Sequence, residues 1–501
     1  MTPNDLKESG LLVMEVLLLL SAFRWFASLL PHFIGGAALF SAVMVLYLLN
    51  TRMDATAKIT WLVIIMSAPG AGALLFWLVR SDLGHRAEKA RVAQLINCTR
   101  DTLPPQPEAF AALEQENPGA ASLARYVGRC GCHPVYQNTD VTYFALGEQK
   151  WERLLAELEQ AEKFIFLEYF IIDEGLMWGR VLEILARKAK EGVDVRVMYD
   201  GTCEFSTLPH DYPRRLAKLG IKCKAFAPVV PLVSTHYNYR DHRKILVIDG
   251  HTAFNGGVNM ADEYINHIEK YGHWKDTAVM LKGEAARSFT LMFLQMWNVT
   301  EQPPRFGDFC AAPVPPQRAP GFVMPFGDCP LDENKVGEEV YIDILSRATR
   351  YVHIMSPYLI LDGEVQNALE FAARRGVDVR LILPGVPDKT GPYALVKTHY
   401  AALLDAGVKI FEYMPGFVHA KVFVADGREA VVGTINLDYR SLYLHFENGV
   451  WLYDNKTIAD IRQDFMDTLD YCNPIDLDFC RHRNMVVRGI QSIMRILAPM
   501  L

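Results

Sequence analysis

The chain contains two copies of one motif, and this duplication limits the folds that it can adopt. The first copy begins at His242, continues with Lys244 and Asp249, and ends at Asn259. The second copy has the same residue types at the same intervals, namely His419, Lys421, Asp426 and Asn436. Both copies read H-x-K-x4-D-x6-G-[GT]-x-N over eighteen positions. Because chance rarely repeats such spacing, we interpret the copies as two matching half-sites.

The residue types within each copy suit phosphoryl chemistry. The apolar runs at 245–248 and 422–425 predict buried strands, on which side chains two positions apart point the same way. An imidazole can attack phosphorus or transfer a proton, while a neighbouring ammonium holds a phosphate oxygen. The asparagine amides add donors. Two copies meeting at an interface would supply one histidine as nucleophile and one as general acid, without metal or cofactor. A single copy would be explained as well by an exposed strand end.

The paired motif resembles the phospholipase D superfamily, and three further stretches resemble its bacterial cardiolipin synthase branch. These stretches are IFLEYFI at 165–171, GFVHAK at 416–421 and NLDYRS at 436–441. The resemblance runs from about residue 120 to the end of the chain, and the hydrophobic N-terminus is also similar. It implies that the histidine, lysine and aspartate of both motifs form the catalytic set, with Asn259 and Asn436 in support.

Position 257 departs from the superfamily pattern. Gly257 stands where the superfamily usually has serine or threonine, whereas Thr434 keeps the hydroxyl in the second copy. Both positions are predicted to contact the substrate, and a hydroxyl hydrogen bond is expected to be missing from the first half-site. The resemblance further implies that Asp249 and Asp426, at the strand ends, brace the site and do not transfer protons.

Two carboxylates are candidates to orient the histidines, because a catalytic imidazole needs its second nitrogen held. Asp276 follows the first motif by 17 residues, and Glu447 follows the second by 11. The resemblance implies the orienting role, but the sequence leaves open which histidine each contacts, and exposed loop positions are the alternative. Glu168 and Tyr358 lie within and just beyond corresponding strands. They are predicted to line the substrate pocket, with a core or turn role as the alternative.

The two halves also share their predicted secondary structure. Helices and strands alternate in the same order in both, and GVDVR occurs at 192–196 and again at 376–380. This pattern predicts an α/β fold of two tandem phospholipase D-like halves, each a mixed sheet flanked by helices, with a shared active site at their interface. We expect the halves at 118–302 and 331–501. The segment 303–330 contains eight prolines and reads as an extended connector.

Residues 1–100 are predicted to form a membrane region. Uncharged runs at 25–51 and 59–79 are long enough to cross a hydrocarbon core of ~30 Å, so we expect a hairpin of helices at 31–49 and 59–79. The stretch 10–29 could span the membrane or lie in the interface. Basic residues after the second run favour a cytoplasmic catalytic region. The resemblance implies a multi-pass protein of the bacterial inner membrane.

The C-terminus is predicted to bind a membrane surface. Residues 481–501 include four arginines and no acidic residue, with apolar residues at three- and four-residue spacings. A basic amphipathic helix of this kind could lie on an anionic membrane. Packing of the same helix against its own domain is the alternative.

Charge and cysteine content restrict the function further. The chain has 51 basic and 58 acidic residues, a formal net charge of −7, so no overall basic field recruits nucleic acid and a nuclease is disfavoured. Nine scattered cysteines are typical of reduced cytosolic thiols and not of a disulfide framework. The sequence does not define an oligomeric state.

The predicted activity, implied by the resemblance, is phosphatidyl transfer. One histidine, His242 by resemblance, would attack phosphatidylglycerol and displace glycerol with protonation by His419. A second phosphatidylglycerol would then accept the phosphatidyl group to give cardiolipin. A hydrolytic phospholipase D, or transfer to another acceptor such as phosphatidylethanolamine, would use the same residues. A phosphodiesterase acting on nucleic acid, or a scaffold protein with inactive half-sites, is a more distant alternative.

Overall fold

A computed structural model describes residues 34–81, 86–131, 133–228, 239–315, 317–481 and 494–495. The chain divides into two compact units, the first ending at Arg86 and the second beginning at Ala87. The boundary therefore falls earlier than the predicted residue 100. No comparable division separates the two repeated halves, which belong to one unit.

In its described residues the first unit contains three helices, at Ile34–Asn50, Ala55–Ser67 and Ala71–Ser81. The uncharged run at 59–79 is not one helix, because Pro69 lacks an amide donor and Gly70 has a φ of 82°. In the described ranges no helix is both long and apolar enough to cross a membrane. The predicted crossings at 31–49 and 59–79 are therefore not supported. The stretch 10–29 lies outside the described residues.

The first repeated half contributes a seven-stranded mixed sheet in the described part of the second unit. Its strands, numbered in chain order with the short β5 and β8 included, are β1 (Asp140–Phe144), β2 (Phe164–Tyr169), β3 (Asp194–Asp200), β4 (Lys222–Phe226), β5 (Arg240–Asp241), β6 (Lys244–Ile248), β7 (Thr252–Gly256), β8 (His273–Lys275) and β9 (Ala278–Lys282). The strand order is β1-β9-β7-β6-β2-β3-β4. Within this sheet β2, β3 and β4 run parallel to one another, and the remaining neighbours in the order, from β1 to β2, pair antiparallel.

The second half repeats this arrangement. Its strands are β10 (Phe322–Asp328), β11 (Tyr351–Met355), β12 (Leu359–Ile360), β13 (Asp378–Pro384), β14 (Lys409–Tyr413), β15 (Gly416–Val418), β16 (Val422–Ala425), β17 (Glu429–Gly433), β18 (Leu437–Asp438), β19 (His445–Tyr453) and β20 (Cys472–Ile475). The strand order is β10-β19-β17-β16-β11-β13-β14-β20. Without β20, each strand occupies the place of its counterpart in the first sheet, which confirms the predicted duplication.

The repeated GVDVR sequence shows how the halves fold alike. In each half a helix ends just before the glycine, at Leu176–Lys190 and at Gly363–Arg374. Gly192 and Gly376 then adopt φ values of 96° and 93°, a left-handed conformation that glycine adopts without steric cost. The chain thereby turns from each helix into a parallel strand of the sheet.

Helices cover the sheets of the second unit. Their bounds are Arg86–Cys98, Pro107–Glu116, Pro118–Gly131, Gly147–Leu158, Leu176–Lys190, Cys203–Ser206, Tyr212–Ala217, Ala286–Trp297, Gly307–Cys310, Val336–Arg347, Gly363–Arg374, Thr390–Val396, Tyr400–Asp405, Tyr439–Tyr443, Thr457–Leu469 and Leu477–Arg481. A 3-10 turn spans Asp262–Ile265. The predicted C-terminal amphipathic helix lies almost entirely outside the described residues.

The hydrophobic core joins the halves and corrects two predicted boundaries. One cluster of buried residues contains side chains of both β6 and β16, so the two sheets share a core. The helices Pro107–Glu116 and Pro118–Gly131 pack with residues of the second half, although the first half was predicted to begin at 118. Strand β10 lies within the predicted connector 303–330, because its apolar residues complete the second sheet.

Candidate active site

Each motif histidine is held by the backbone of the opposite half. Strand β5 pairs in parallel with β19, and β15 pairs in parallel with β8. Directly after these pairings, the His242 amide donates to the Phe446 carbonyl at 3.0 Å, and the His419 amide donates to the Lys275 carbonyl at 2.7 Å. The two halves therefore position each other's histidines.

The orienting carboxylates also cross between the halves. His242 Nδ1 lies 2.9 and 3.0 Å from the two carboxylate oxygens of Glu447. His419 Nδ1 lies 2.6 Å from Asp276 Oδ2. Because a carboxylate accepts hydrogen bonds, each Nδ1 carries the proton and each Nε2 keeps its lone pair for chemistry. The sequence had left the pairing open, and both predicted acids contact a histidine.

Strand register explains why the two acids occupy equivalent places. Gly256 pairs with Ala278 in the first sheet, and Gly433 pairs with Gly449 in the second. Asp276 and Glu447 each lie two residues before these partners. The loop between asparagine and acid differs in length between the halves, but the sheet brings both acids to the same point.

The residue after each of these motif glycines fits the acid in its own half. A Cβ atom at Gly257 would lie only 2.0 Å from Asp276 Oδ1, so a side chain there would displace the carboxylate. In the second half the Thr434 hydroxyl donates to Glu447. Gly257 therefore lacks the hydroxyl hydrogen bond that Thr434 makes, because the Asp276 carboxylate occupies the space that a side chain at position 257 would need.

The motif lysines are buried beside the histidines. Lys244 Nζ donates to the His242 carbonyl at 2.6 Å, and Lys421 Nζ donates to the His419 carbonyl. Burial and, to a smaller extent, the charge of Lys421 lower the pKa of Lys244 to about 7, with Glu447 opposing them. Burial likewise lowers the pKa of Lys421 to about 8. Two buried ammonium groups whose charges interact create a site that favours an anion, and a phosphodiester carries the matching charge.

Both imidazoles are neutral in the free protein at neutral pH. Burial lowers the pKa of His242 to about 3, with Glu447 opposing the shift and Lys244 adding to it. Burial and the charge of Lys421 lower the pKa of His419 to about 4, with Asp276 opposing them. A neutral imidazole with Nδ1 held by a carboxylate has the form that a nucleophile or a general base requires.

The comparisons with known proteins agree with this geometry. The family model described as "Cardiolipin synthase, PLD-like domain" matches residues 154–297 and 341–469, which is more than half of the chain. This chain belongs to that family. The two matched segments correspond to the two repeated halves, and each contains one complete motif.

Individual relatives of this cardiolipin synthase family member span nearly its whole length. An uncharacterized protein of Streptococcus mutans is 52% identical over 457 residues, covering 91% of this chain and 99% of that protein. A cardiolipin synthase of Geobacillus kaustophilus is 33% identical over 494 residues, covering 98% of each chain. The crystal structure of phosphatidylserine synthase from Haemophilus influenzae matches with a TM-score of 0.58 and 14% identity, covering 77% of this chain and 98% of that one. The last match shows the fold, and family membership makes the chain a phospholipid phosphatidyltransferase.

The motif aspartates of this family member lie at the far ends of the motif strands. Asp249 accepts backbone hydrogen bonds at 2.8 Å from Glu162, Lys163 and Phe164 at the start of β2. Asp426 accepts from Thr349, Arg350 and Tyr351 at the start of β11 in the same way. These carboxylates tie neighbouring strands together. The bracing role that the resemblance implied fits these contacts.

The two motif asparagines have different surroundings. Asn259 accepts from the Ile171 amide at 3.1 Å and donates to the Tyr264 hydroxyl at 2.7 Å, so it orders the wall of the site. Asn436 is 5% exposed, and its Oδ1 atom has no hydrogen-bond partner within the described part of the chain. Asn436 therefore retains an atom for a ligand.

Glu168 and Tyr358 also differ from each other. Glu168 is fully buried and forms an ion pair with Arg243, with 2.6 Å between Oε1 and Nη2. This contact corrects the predicted pocket position, because the side chain points into a buried charge cluster. The Tyr358 hydroxyl donates to Asp388 Oδ2 at 2.5 Å, beside the second motif.

Sequence reasoning missed several residues at the site. The ring of His445 lies 5.5 Å from that of His242, and the ring of Tyr264 lies edge-on at 5.3 Å from that of His419. The Ser441 hydroxyl donates to Glu447. Ser441 and His445 lie just before Glu447 in the sequence, and this closeness was the available signal. Tyr264 lies in a 3-10 turn that no pattern indicated.

One group of side chains offers ligand atoms for a metal ion. Atoms of His242, His445 and Glu447 lie within 4.8 Å of one another. The Glu447 oxygens already accept from His242, Thr434 and Ser441. The donor set thus suits a metal in type, but its carboxylate is already committed to hydrogen bonds.

Proposed function

We propose that this protein synthesises cardiolipin by transferring a phosphatidyl group from one phosphatidylglycerol to a hydroxyl of another, with release of glycerol. The observation that carries the proposal is the reciprocal pairing of each motif histidine with a carboxylate of the opposite half. This pairing frees Nε2 of both rings for chemistry at one site between the halves.

In the first step, His242 Nε2 attacks the phosphorus of phosphatidylglycerol. The bond from phosphorus to the glycerol oxygen breaks, and His419 donates a proton to that oxygen. A bound phosphodiester anion raises the pKa of His419 from its low value in the free protein, because an opposite charge favours the imidazolium. Glu447 stabilises the positive charge that develops on the phosphorylated His242 ring.

In the second step, His419 takes a proton from the acceptor hydroxyl. The hydroxyl oxygen attacks phosphorus, the bond from phosphorus to His242 breaks, and cardiolipin leaves. Lys244 and Lys421, which are buried beside the histidines, hold the phosphate oxygens through both steps. Gly257 and Thr434 act through the acids and have no direct contact with substrate in this scheme.

We also propose that the protein works at a bacterial inner membrane. Both substrates are lipids, and large apolar side chains are exposed on the helices of the first unit, among them Leu39, Leu46 and Met66. Exposed apolar surface of this extent favours contact with lipid. Phosphatidylglycerol is anionic, so we expect an anionic membrane surface. We expect the catalytic unit to face the cytoplasm, as the basic residues after the second apolar run favour.

The closest alternative acceptors are water and phosphatidylethanolamine. Incubation of the purified protein with phosphatidylglycerol labelled in the glycerol headgroup and in the acyl chains separates the possibilities. We expect equal amounts of cardiolipin and free glycerol. Phosphatidic acid as the only lipid product would contradict the proposal and indicate a hydrolase, and a product that requires added phosphatidylethanolamine would change the acceptor.

Variants of the two histidines test their separate roles. His242→Ala should abolish turnover and the phosphorylated intermediate together, because it removes the nucleophile. His419→Ala should retain Nε2 of His242 and accumulate some intermediate from a donor with a good leaving group. Detection of a phosphohistidine at position 419 in the His242→Ala variant would reverse the assigned roles.

A further inference from the structure

A cluster of oxygen atoms lies beside the second motif and has no role in the chemistry described above. The Tyr358 hydroxyl donates to Asp388 Oδ2 at 2.5 Å. Tyr358 immediately precedes β12, and β12 pairs in parallel with β18 so that Leu359 lies opposite Leu437. Leu437 directly follows Asn436, the last residue of the motif. The strand pairing therefore brings Tyr358 and Asp388 next to the end of the second motif.

Asn436 adds an independent sign that a ligand binds here. Its side chain is 5% exposed, and Oδ1 lacks a hydrogen-bond partner among the residues that the structure describes. A buried amide oxygen without a partner is unfavourable, so such groups commonly await a ligand or water. A hydroxyl group is a donor that this oxygen and the Asp388 carboxylate could share.

Charge interactions place the cluster on the His419 side of the site. The charge of Asp388 opposes the fall that burial causes in the pKa of Lys421. It also adds to the rise that burial causes in the pKa of Tyr264, whose ring lies 5.3 Å from that of His419. Asp388 thus acts on residues of both halves around the histidine that handles the alcohol in the proposed mechanism.

The chemistry of the cluster restricts what it can bind. A carboxylate repels a phosphate, so Asp388 is suited to a group that donates hydrogen bonds. An ammonium group would meet the charges of Lys421 and Lys244, whereas a neutral hydroxyl would not. In the reaction proposed above, both the leaving and the incoming glycerol groups pass His419, and each carries a second hydroxyl that does not react.

We propose that Asp388, Tyr358 and Asn436 form a subsite for the unreacting hydroxyl of a glycerol headgroup. This inference rests on the proposed phosphatidyl transfer and adds the feature that selects the alcohol. During the second step one hydroxyl of the acceptor loses its proton to His419 and attacks phosphorus. The neighbouring hydroxyl donates to Asp388 throughout and undergoes no reaction. A diol is thereby preferred over a simple alcohol or water.

Competition between soluble alcohols tests the subsite. The full-length protein is given phosphatidylglycerol in mixed micelles with labelled glycerol, 1-propanol or ethanolamine, and the labelled phosphatidyl products are quantified. Wild-type protein should prefer glycerol. In Asp388→Asn this preference over 1-propanol should fall ~10- to 100-fold, the usual effect of weakening a hydrogen bond to a charged group. Tyr358→Phe should lower it less, and Asp405→Asn, at an exposed helix position, is the matched control.

Each result distinguishes the subsite from the underlying function. An unchanged preference in Asp388→Asn, with transfer to both alcohols intact, would overturn the subsite and leave phosphatidyl transfer standing. Equal loss with both alcohols and water would mean that Asp388 serves the chemistry or the fold, which also contradicts the proposal. Preference for ethanolamine that disappears in Asp388→Asn would identify an ammonium site in its place. Wild-type protein that only hydrolyses phosphatidylglycerol would overturn the function itself.

Discussion

The two half-sites reach the same hydrogen bond to histidine with different residues. In the first half, Asp276 contacts His419 and a glycine stands in front of it at position 257. In the second half, the acid that contacts His242 is Glu447, which is one methylene longer and has Thr434 in front of it. The length of the acid and the size of the residue before it are therefore matched.

The difference also changes how firmly each acid is held. Glu447 accepts hydroxyl hydrogen bonds from Thr434 and Ser441, whereas Asp276 accepts from the Thr277 amide at 2.8 Å. Burial raises the pKa of Glu447, but its interactions with His242 and His445 together outweigh burial and hold that pKa far below its usual range. A duplicated site has thus become asymmetric, with the more strongly fixed carboxylate beside the proposed nucleophile.

The largest expected effects are on the activity of variants that lack one of the two orienting acids, and an activated donor should distinguish the two variants. We expect Glu447→Gln and Asp276→Asn each to lower kcat by ~10³- to 10⁴-fold, as loss of an orienting carboxylate does in other histidine-dependent enzymes. A donor with a p-nitrophenolate leaving group needs no proton from His419. With that donor, Asp276→Asn should recover formation of the phosphorylated enzyme in a rapid-quench experiment, and Glu447→Gln should not.

If the two variants responded alike to the activated donor, the proposed difference between the two half-sites would be wrong. Equal recovery with the activated donor would mean that the acids have interchangeable roles. Equal failure would mean that both histidines are needed for attack. Only unequal recovery agrees with a nucleophile at His242 and a proton donor at His419.

A second prediction concerns the match between acid and neighbour. Gly257→Thr should lower the free energy of unfolding by about 1–3 kcal/mol, because a Cβ there would lie 2.0 Å from Asp276 Oδ1 and overpack a buried site. The double change Gly257→Thr with Asp276→Glu rebuilds the arrangement of the second half and should recover part of the loss. Chemical denaturation measures both.

The stability of the double variant could also contradict this prediction. If it is no more stable than Gly257→Thr alone, the pairing of length and size has no energetic meaning. Thr434→Ser, which keeps the hydroxyl that donates to Glu447, is the control for a small change at the equivalent position.

Much of the fold could be predicted because it depends on local patterns. The repeated motif and the alternation of helices and strands predicted two α/β halves, and the sheets confirm the same strand order in each. Histidine and lysine were predicted to lie together because they are two residues apart, and each lysine donates to the carbonyl of its histidine. Cross-pairing of the acids could not be predicted, since Glu447 follows its own motif in sequence yet contacts the histidine of the other.

The errors have identifiable physical causes. The run at 59–79 was read by its lack of charge, although Pro69 and Gly70 within it are typical helix breakers. Glu168 was assigned to a pocket because its strand was known, but the side of the strand was not. Asp388 escaped notice because it lies in a loop after β13, where spacing carries no information about which side chains converge.

A third prediction uses acidity to compare the histidines. Their pKa values are lowered to about 3 for His242 and about 4 for His419, below the ordinary value of 6.5. Between the folded pKa and 6.5, the unfolded chain therefore binds more protons than the folded chain. The free energy of unfolding is thus at its full value above pH 6.5 and decreases as pH falls towards 4. Each histidine contributes up to ~1.4 kcal/mol per pH unit in that window.

Thermal unfolding between pH 7 and pH 5 should show this loss. His419→Gln removes one of the two groups and should make the dependence on pH shallower, and His242→Gln should do the same. An unchanged slope in both variants would mean that other buried groups, such as His133, account for the effect.

The smallest expected effect is that of a chelator, and it tests the asymmetry from another side. Near His242 the atoms of His445 and Glu447 could complete a metal site, and no second such group occurs among the described residues. A cation there would have to displace the proton on His242 Nδ1 and the hydroxyl donors of Glu447, against the charge of buried Lys244. We therefore expect EDTA dialysis to leave transfer activity unchanged. The contrary result would be a loss of activity that added Zn²⁺ restores in the wild-type protein but not in His445→Asn. That result would make His242 a metal ligand and contradict its role as nucleophile.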